Sequence, residues 1–376
     1  MQTQSSDLRQ RTSEKWRRYP SDVLPLFIAE MDFALAPAIA GALHDAVERS
    51  DTGYAWPYRL RTTFCEYTKR AFDWSPPEDH VFVVNDVAGG IIEALKALTA
   101  PGDGVAIMPP IYPPFFEIIG IAERRVVEVP LMERDSWQID FEALEVALRR
   151  DAKAILLCHP HNPTGRVFSP ADLTRIAALA GKHNAVVISD EIHAPLVYPE
   201  VTHTPFAIAA DGVDIDSVTL MSASKGWNLA GLKCGQLVAN NERVAAQLNE
   251  MPNDVRDRIG HFGVIATEAA YRSGLDWMAE TLATLDRNRR LLGELLEERL
   301  PDVRYRMPEA TFLAWLDFRR YHLGDDPAQV LLERGRVALA HGPEFGRQGH
   351  GFARLNFATS PAMIEDAVSR MAAAMA

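Results

Sequence analysis

Met221-Ser222-Ala223-Ser224-Lys225-Gly226-Trp227-Asn228-Leu229-Ala230-Gly231-Leu232-Lys233 is the stretch on which the reading of this chain turns. The apolar run 218–221 ends in hydroxyls, a lysine and a glycine. That order puts Lys225 just past the carboxyl end of a buried strand, the edge at which open α/β sheets bind ligands. Ser222, Ser224 and a second cation, Lys233, are groups able to hold a phosphate. A lysine that is partly desolvated beside other cations gives up its proton more readily and becomes a nucleophile toward aldehydes. Alone, Lys225 also reads as a surface lysine in a polar loop. The hydroxyls, the glycine and the following Asn-Leu-Ala-Gly favour a site.

Around this stretch, strand-type runs alternate with helical patterns. Residues 81–84, 105–108, 154–158, 185–189, 218–221 and 235–239 read as short buried strands. Helices are expected at 91–98 and from Ser169-Pro170, an N-cap followed by proline in the first turn. This alternation implies βαβ units and a mainly parallel sheet covered on both faces. Beyond about residue 258 the pattern changes. A helical stretch over 259–300, with a break at Ser273-Gly274, precedes short strands near 304–306, 311–317 and 354–357 and helices over 327–334 and 361–374. The ordering is α+β, so a smaller second domain is expected. The division predicted is a large domain over 41–270 and a small one built from 1–40 and 271–376.

Three further clusters carry chemistry. Ser189-Asp190-Glu191-Ile192-His193 closes a strand. Its aspartate reads either as a helix N-cap or as the partner of a protonated ring nitrogen in a bound heterocycle. His159-Pro160-His161-Asn162-Pro163-Thr164-Gly165 is a turn signal whose Asn162 amide could also donate to a phenolate oxygen. The two histidines suggest zinc, yet no carboxylate or cysteine stands at a suitable spacing, so no metal site is expected. In Gly351-Phe352-Ala353-Arg354-Leu355-Asn356-Phe357, an arginine sits inside an apolar strand and needs an anion. A structural salt bridge and a bidentate substrate carboxylate satisfy that need equally well.

Composition narrows the classes. The 376 residues carry a formal charge of −12 and are 47% hydrophobic, which is ordinary for a globular protein. The acidic surplus disfavours nucleic acid and anionic membranes as partners. The basic stretch from Arg9 to Arg18 reads as a solvated terminal face. The 3 cysteines, Cys65, Cys158 and Cys234, are too few and too scattered for a disulfide framework and fit a reducing compartment. The polar segment 1–20 lacks the apolar core of a signal peptide, and no run approaches the roughly 20 apolar residues of a membrane span. The expectation is a cytoplasmic protein.

Taken together and in this order, the clusters resemble the fold-type-I pyridoxal 5′-phosphate (PLP) enzymes of the class I/II aminotransferase superfamily, over nearly the whole chain. Within it the chain is most similar to the cystathionine β-lyase-like C–S lyases of the MalY/PatB type. That likeness rests on Leu24-Pro25-Leu26-Phe27-Ile28-Ala29-Glu30-Met31-Asp32-Phe33, Thr52-Gly53-Tyr54, Pro109-Pro110-Ile111-Tyr112-Pro113-Pro114-Phe115, the Asp190–His193 cluster and Trp227–Leu232. Ordinary aminotransferases usually have tyrosine at His193. The resemblance implies the aspartate aminotransferase-like fold, with a seven-stranded sheet in the large domain. It implies that Lys225 carries PLP as a Schiff base and later moves the α-proton, and that Asp190 pairs with the pyridine nitrogen. Asn162 would bond the ring's phenolate oxygen and Tyr112 would stack on the ring, with His193 beside the cofactor. The phosphate would meet Ser222, Ser224, Lys233 and the N–H groups of Val87 and Ala88, while Arg354 would bind the substrate carboxylate. Tyr54 would reach across a homodimer to the neighbouring site. The implied reaction is β-elimination on cystathionine or another cysteine S-conjugate. Transamination is the alternative, and a PLP-binding regulatory protein is a second.

Three departures from the family pattern stand out. The strand-to-helix turn reads Asn85-Asp86-Val87-Ala88-Gly89-Gly90 where the lyases usually have glycine near Asp86, and an aspartate close to the phosphate would repel it unless it points away. Lys233 stands where many aminotransferases have arginine. Phe27-Ile28-Ala29-Glu30 replaces a commoner Trp-Val-Ala-Asp at the pocket entrance.

Overall fold

The computed structural model describes residues 8–375. The strand-type runs assemble into one sheet: β1 (Val81–Val84), β2 (Gly104–Ile107), β3 (Arg125–Glu128), β4 (Ala152–Cys158), β5 (Val186–Asp190), β6 (Ser217–Met221) and β7 (Gly235–Ala239). Their order is β1-β7-β6-β5-β4-β2-β3, seven strands in all. Every pairing is parallel except those of β7, which runs antiparallel to both β1 and β6. The β6–β7 connection contains only a four-residue helix (Ala223–Gly226) and a 3-10 turn, too little to pack as a crossover on the sheet, so the chain returns antiparallel. β5, β6 and β7 are buried at every residue, because helices cover both faces. β3 is the strand that sequence patterning did not mark. It lies at the sheet edge, with exposed Arg125 and Glu128 breaking the apolar run.

The helices begin where short polar side chains can take up free N–H groups. Asp86 caps α1 (Val87–Leu98), accepting from Gly89 N at 2.8 Å. The first turn, Val-Ala-Gly-Gly, has poor helix propensity, so the pattern alone started this helix too late. Ser169 and Asp172 form a capping box on α2 (Pro170–His183). The long helical stretch is two helices, α3 (His261–Ser273) and α4 (Leu275–Arg299), which meet at Gly274 as expected. The break has a packing cause: a Cβ on Gly274 would lie 2.4 Å from Trp227 Nε1. That buried indole donates to Gly274 O at 3.0 Å.

The last third builds a second, antiparallel sheet from β8 (Arg304–Tyr305), β9 (Leu313–Asp317), β10 (Ala340–His341) and β11 (Phe352–Asn356), in the order β8-β9-β11-β10. In it Arg354 lies between Trp315 and Ala340. α5 (Pro327–Gly335) and α6 (Pro361–Met375) pack with it. The amino-terminal pair Leu24–Pro25 joins Val337–Ala338 in parallel, tying the start of the chain to its last third. No helix among the described residues is long and apolar enough to cross a membrane.

Candidate active site

The ends of the parallel strands open into a cavity of about 350 Å³. β4 contributes Cys158, β5 ends in Asp190, the turn after β6 delivers Ser224 and Lys225, and the start of α1 brings Asp86, Val87 and Ala88. Arg354 enters from β11, and Phe27, Ile28 and Ala29 close the remaining wall. Residues scattered over most of the chain thus converge at the carboxyl edge of the sheet, as strand-end placement predicts.

Lys225 is half-buried, and its Nζ donates to Ala29 O at 2.9 Å. Burial, reinforced by the nearby Arg354 charge and opposed by Asp190, pushes the amine down to about 8. Asp190 is pushed up to about 7, chiefly by burial, although Ile192 N donates to its Oδ1 at 3.1 Å. A nucleophilic amine and a carboxylate in need of a cationic partner therefore share one cavity. Arg354 donates through Nη1 to Asn162 Oδ1 and through Nη2 to Phe27 O, both at 3.0 Å. Its Nε is buried without a partner among the described residues, and burial lowers the guanidinium to about 10. No carboxylate among the described residues is bonded to it, so the structural salt bridge that the sequence left open is not made.

Tyr112 lines the cavity, and burial raises its hydroxyl against the pull of Arg354. His193 is buried and neutral, pushed down to about 3 by desolvation and then by Lys225 and Arg354, with Nδ1 unpartnered. Val87, Ala88, Ser224 and Lys233 also reach the cavity. Ser222 does not: its Oγ donates to Cys234 O at 2.7 Å and accepts from Ser224 N, so it shapes the lysine loop. Tyr54 lies outside this cavity and is 89% exposed.

The remaining chemistry-bearing residues hold the walls. Glu191 faces away from the cavity and accepts from Ser189 Oγ and Phe206 N, with His203 Nε2 at 2.8 Å. His159 and His161 are taken up by Thr204 O and by Thr164 Oγ1 and Met108 O. Among the described residues no three His, Cys, Asp or Glu side chains are grouped to hold a metal.

Sequence reading missed how the entrance segment is held. Its carbonyls accept from cavity residues and from two side-chain amides, one buried and one half-buried: Asn356 Nδ2 bonds Ile28 O and Glu30 O at 2.7 Å, and Asn228 bonds both Met31 N and Met31 O. Below it, Lys15 and Asp32 form a buried pair at 2.7 Å. The only sequence signal was two asparagines among apolar neighbours. Asn228→Ala strands Met31 N, while Met31 O keeps Arg11 Nη1 at 3.0 Å; the loss is expected to cost about 1–3 kcal/mol, read as a lower melting temperature.

The lowered amine makes a pH prediction. Capture of a pyridoxal-type aldehyde needs neutral Lys225, whose fraction falls tenfold per unit below about 8. In the cofactor-free protein, the capture rate is expected to rise with pH and level off above that value. A rate independent of pH between 6 and 8 would exclude Lys225 as a free amine of lowered pKa.

The family model for aminotransferase class I and II matches residues 21–371. The chain is 35% identical to the cystathionine beta-lyase of Corynebacterium glutamicum, over 98% of each chain. It is 34% identical to the cystathionine beta-lyase PatB of Bacillus subtilis (strain 168), over 94% of this chain and 93% of that one. Among solved structures, the PLP-bound C-S lyase of Staphylococcus hominis superposes with a TM-score of 0.91 at 26% identity, over 98% of this chain and 96% of its own. With its lysine, aspartate and arginine converging at the strand ends, the chain belongs to the class I and II aminotransferase family and is similar there to the cystathionine β-lyases.

Proposed function

We propose that this chain is a PLP-dependent C–S β-lyase that cleaves cystathionine or related cysteine S-conjugates to pyruvate, ammonia and a thiol. The observation that carries the reading is the pairing, in one cavity, of a lysine amine lowered to about 8 with a buried carboxylate raised to about 7. The relatives named above support the choice of reaction.

The residues fit the cofactor. Among the described residues no cation is bonded to Asp190, which accepts from Ile192 N, and a protonated pyridine nitrogen would be one. Asn162 spends its oxygen on Arg354, which leaves its amide N–H₂ to donate to a phenolate. The first N–H groups of α1 have no acceptor within the helix ladder and suit a phosphate. Ser224 and Lys233 stand at the same end, and Tyr112 offers an aromatic face. PLP, when bound, supplies the electron sink for the carbanion left at Cα. Lys225 would hold the cofactor through its amine and would take the Cα proton. Arg354 exchanges Phe27 O for the substrate carboxylate. Burial of Asp190 and Arg354 strengthens each of these charge contacts.

Incubation with cystathionine tests the reading. Pyruvate and a free thiol are expected. Amino-group transfer to a 2-oxo acid without thiol release would make the chain an aminotransferase, and PLP binding with neither product would point to a regulatory protein. Arg354→Lys keeps the charge and loses the fork, so kcat/KM is expected to fall at least about tenfold, or about 1.4 kcal/mol. A lost melting transition with normal kinetics in the surviving fraction would make Arg354 structural.

We also propose a homodimer with shared sites. Exposed Tyr54, Trp56 at 73% and Tyr58 at 49% form an aromatic patch that supports it. Mixed Tyr54→Phe and Lys225→Ala protomers should then recover activity through one intact site. No recovery from demonstrated mixed dimers would count against sharing. We keep the division into a 41–270 unit and a 1–40 plus 271–376 unit, supported by the pairing of the amino-terminal strand with the last third. The three unpaired cysteines support a cytoplasmic location.

A further inference from the structure

We infer that Asp86 is an internal competitor of the cofactor phosphate, drawing Lys233 onto its own carboxylate and so weakening the retention of PLP. The inference rests on the phosphate placement proposed above. Asp86 Oδ1 accepts from Gly89 N at 2.8 Å, and Oδ2 accepts from Lys233 Nζ at 3.1 Å. One carboxylate thus already bonds the cation and sits on the helix end that would receive the phosphate.

The backbone that bears this carboxylate is held in place. β7 backs the turn so closely that a Cβ on Gly235 would lie 3.1 Å from Asp86 C and 3.2 Å from Val87 N. Lys233 is also fixed at its backbone. It adopts φ +61, a left-handed conformation unusual for a lysine, and Gly260 N donates to its carbonyl at 3.1 Å. Its side chain is 57% exposed and that of Asp86 31%, so the pair is solvent-screened and contributes little in its own right. An arriving phosphate can break it without great cost, yet the Asp86 charge then stays beside a dianion. Two effects oppose each other: Asp86 pre-orients Lys233, which helps the phosphate, and Asp86 repels the phosphate directly. Repulsion from a doubly charged group at close range outweighs the small entropic gain of orienting one half-exposed side chain.

Asp86→Asn isolates the charge, because asparagine caps a helix as well as aspartate does. Cofactor-free wild type and variant are titrated with PLP and, separately, with pyridoxal, which lacks the phosphate, following imine absorbance and the rate of aldehyde release. PLP affinity is expected to rise about tenfold in the variant, with correspondingly slower release. Pyridoxal affinity is expected to stay the same. Lys233→Gln should weaken PLP binding more in the Asp86→Asn background than in wild type, because Lys233 there serves the phosphate alone. Unchanged or weaker PLP binding by Asp86→Asn would overturn the inference, as would an equal gain for pyridoxal. If neither protein forms an imine with PLP, the cofactor assignment falls with it.

Discussion

Lys225→Ala is expected to abolish turnover and to remove the visible chromophore of the purified protein. Two functions are lost at once. The amine that captures the aldehyde is gone, and so is the base that takes the Cα proton, a role worth about 10²- to 10⁴-fold by itself. Little stability should go with them. Lys225 is half-buried, desolvation disfavours its charge, and among the described residues its amine donates to Ala29 O alone. Borohydride treatment of the wild type should fix the cofactor to the peptide containing Lys225, and the variant should take up no label there. Labelling at another lysine, or a variant that still releases thiol at the wild-type rate, would remove Lys225 from its role.

Asp190→Asn is expected to keep the fold and lose about 10²-fold or more in kcat, since asparagine is nearly isosteric but holds no negative charge to keep a ring nitrogen protonated. The same substitution has a pH signature in the cofactor-free protein. Burial raises Asp190 from 3.8 to about 7, so between these values the folded state holds a proton that the unfolded state has released. Its contribution is therefore fully present below about pH 4 and is lost as pH rises through about 7. Cofactor-free Asp190→Asn should melt above wild type at pH 8, and the gap should close toward pH 4. PLP should then raise the melting temperature of wild type much more than that of the variant. Near-normal kcat in Asp190→Asn would reduce Asp190 to a cap for the turn at Ile192.

Much of the architecture follows from local features. Buried strands are short apolar runs, and each ends in a polar cluster because the chain meets solvent or a cavity there. For that reason Lys225, Asp190 and Asn162 were legible as a set: Asp190 ends a strand, Asn162 and Lys225 stand four residues beyond one, and parallel strands bring their carboxyl ends to one edge. The Ser169 N-cap was legible for the same reason, since a cap involves neighbours in the chain, and Gly274 marked the break although its packing cause, Trp227, lies 47 residues away. The edge strand β3 was not, because an edge carries charge and loses the apolar run.

What lay outside local reading is contact between distant segments. The pattern around Arg354 says that it needs an acceptor, but not which one. Folding gives it Asn162 and the backbone of Phe27 and leaves Nε free, which removes the salt-bridge alternative. Ser222 and Ser224 look equivalent in sequence, yet Ser222 turns to Cys234 O because β7 passes antiparallel beside it. Asp86 stands out in the sequence only as a charge at the strand-to-helix turn, and the return of the chain at Lys233 turns it into half of an ion pair at the cavity. Side-chain type and strand order set which groups reach the cavity edge. Which of them stay unsatisfied there depends on partners more than a hundred residues away, and those unsatisfied groups are where the chemistry resides.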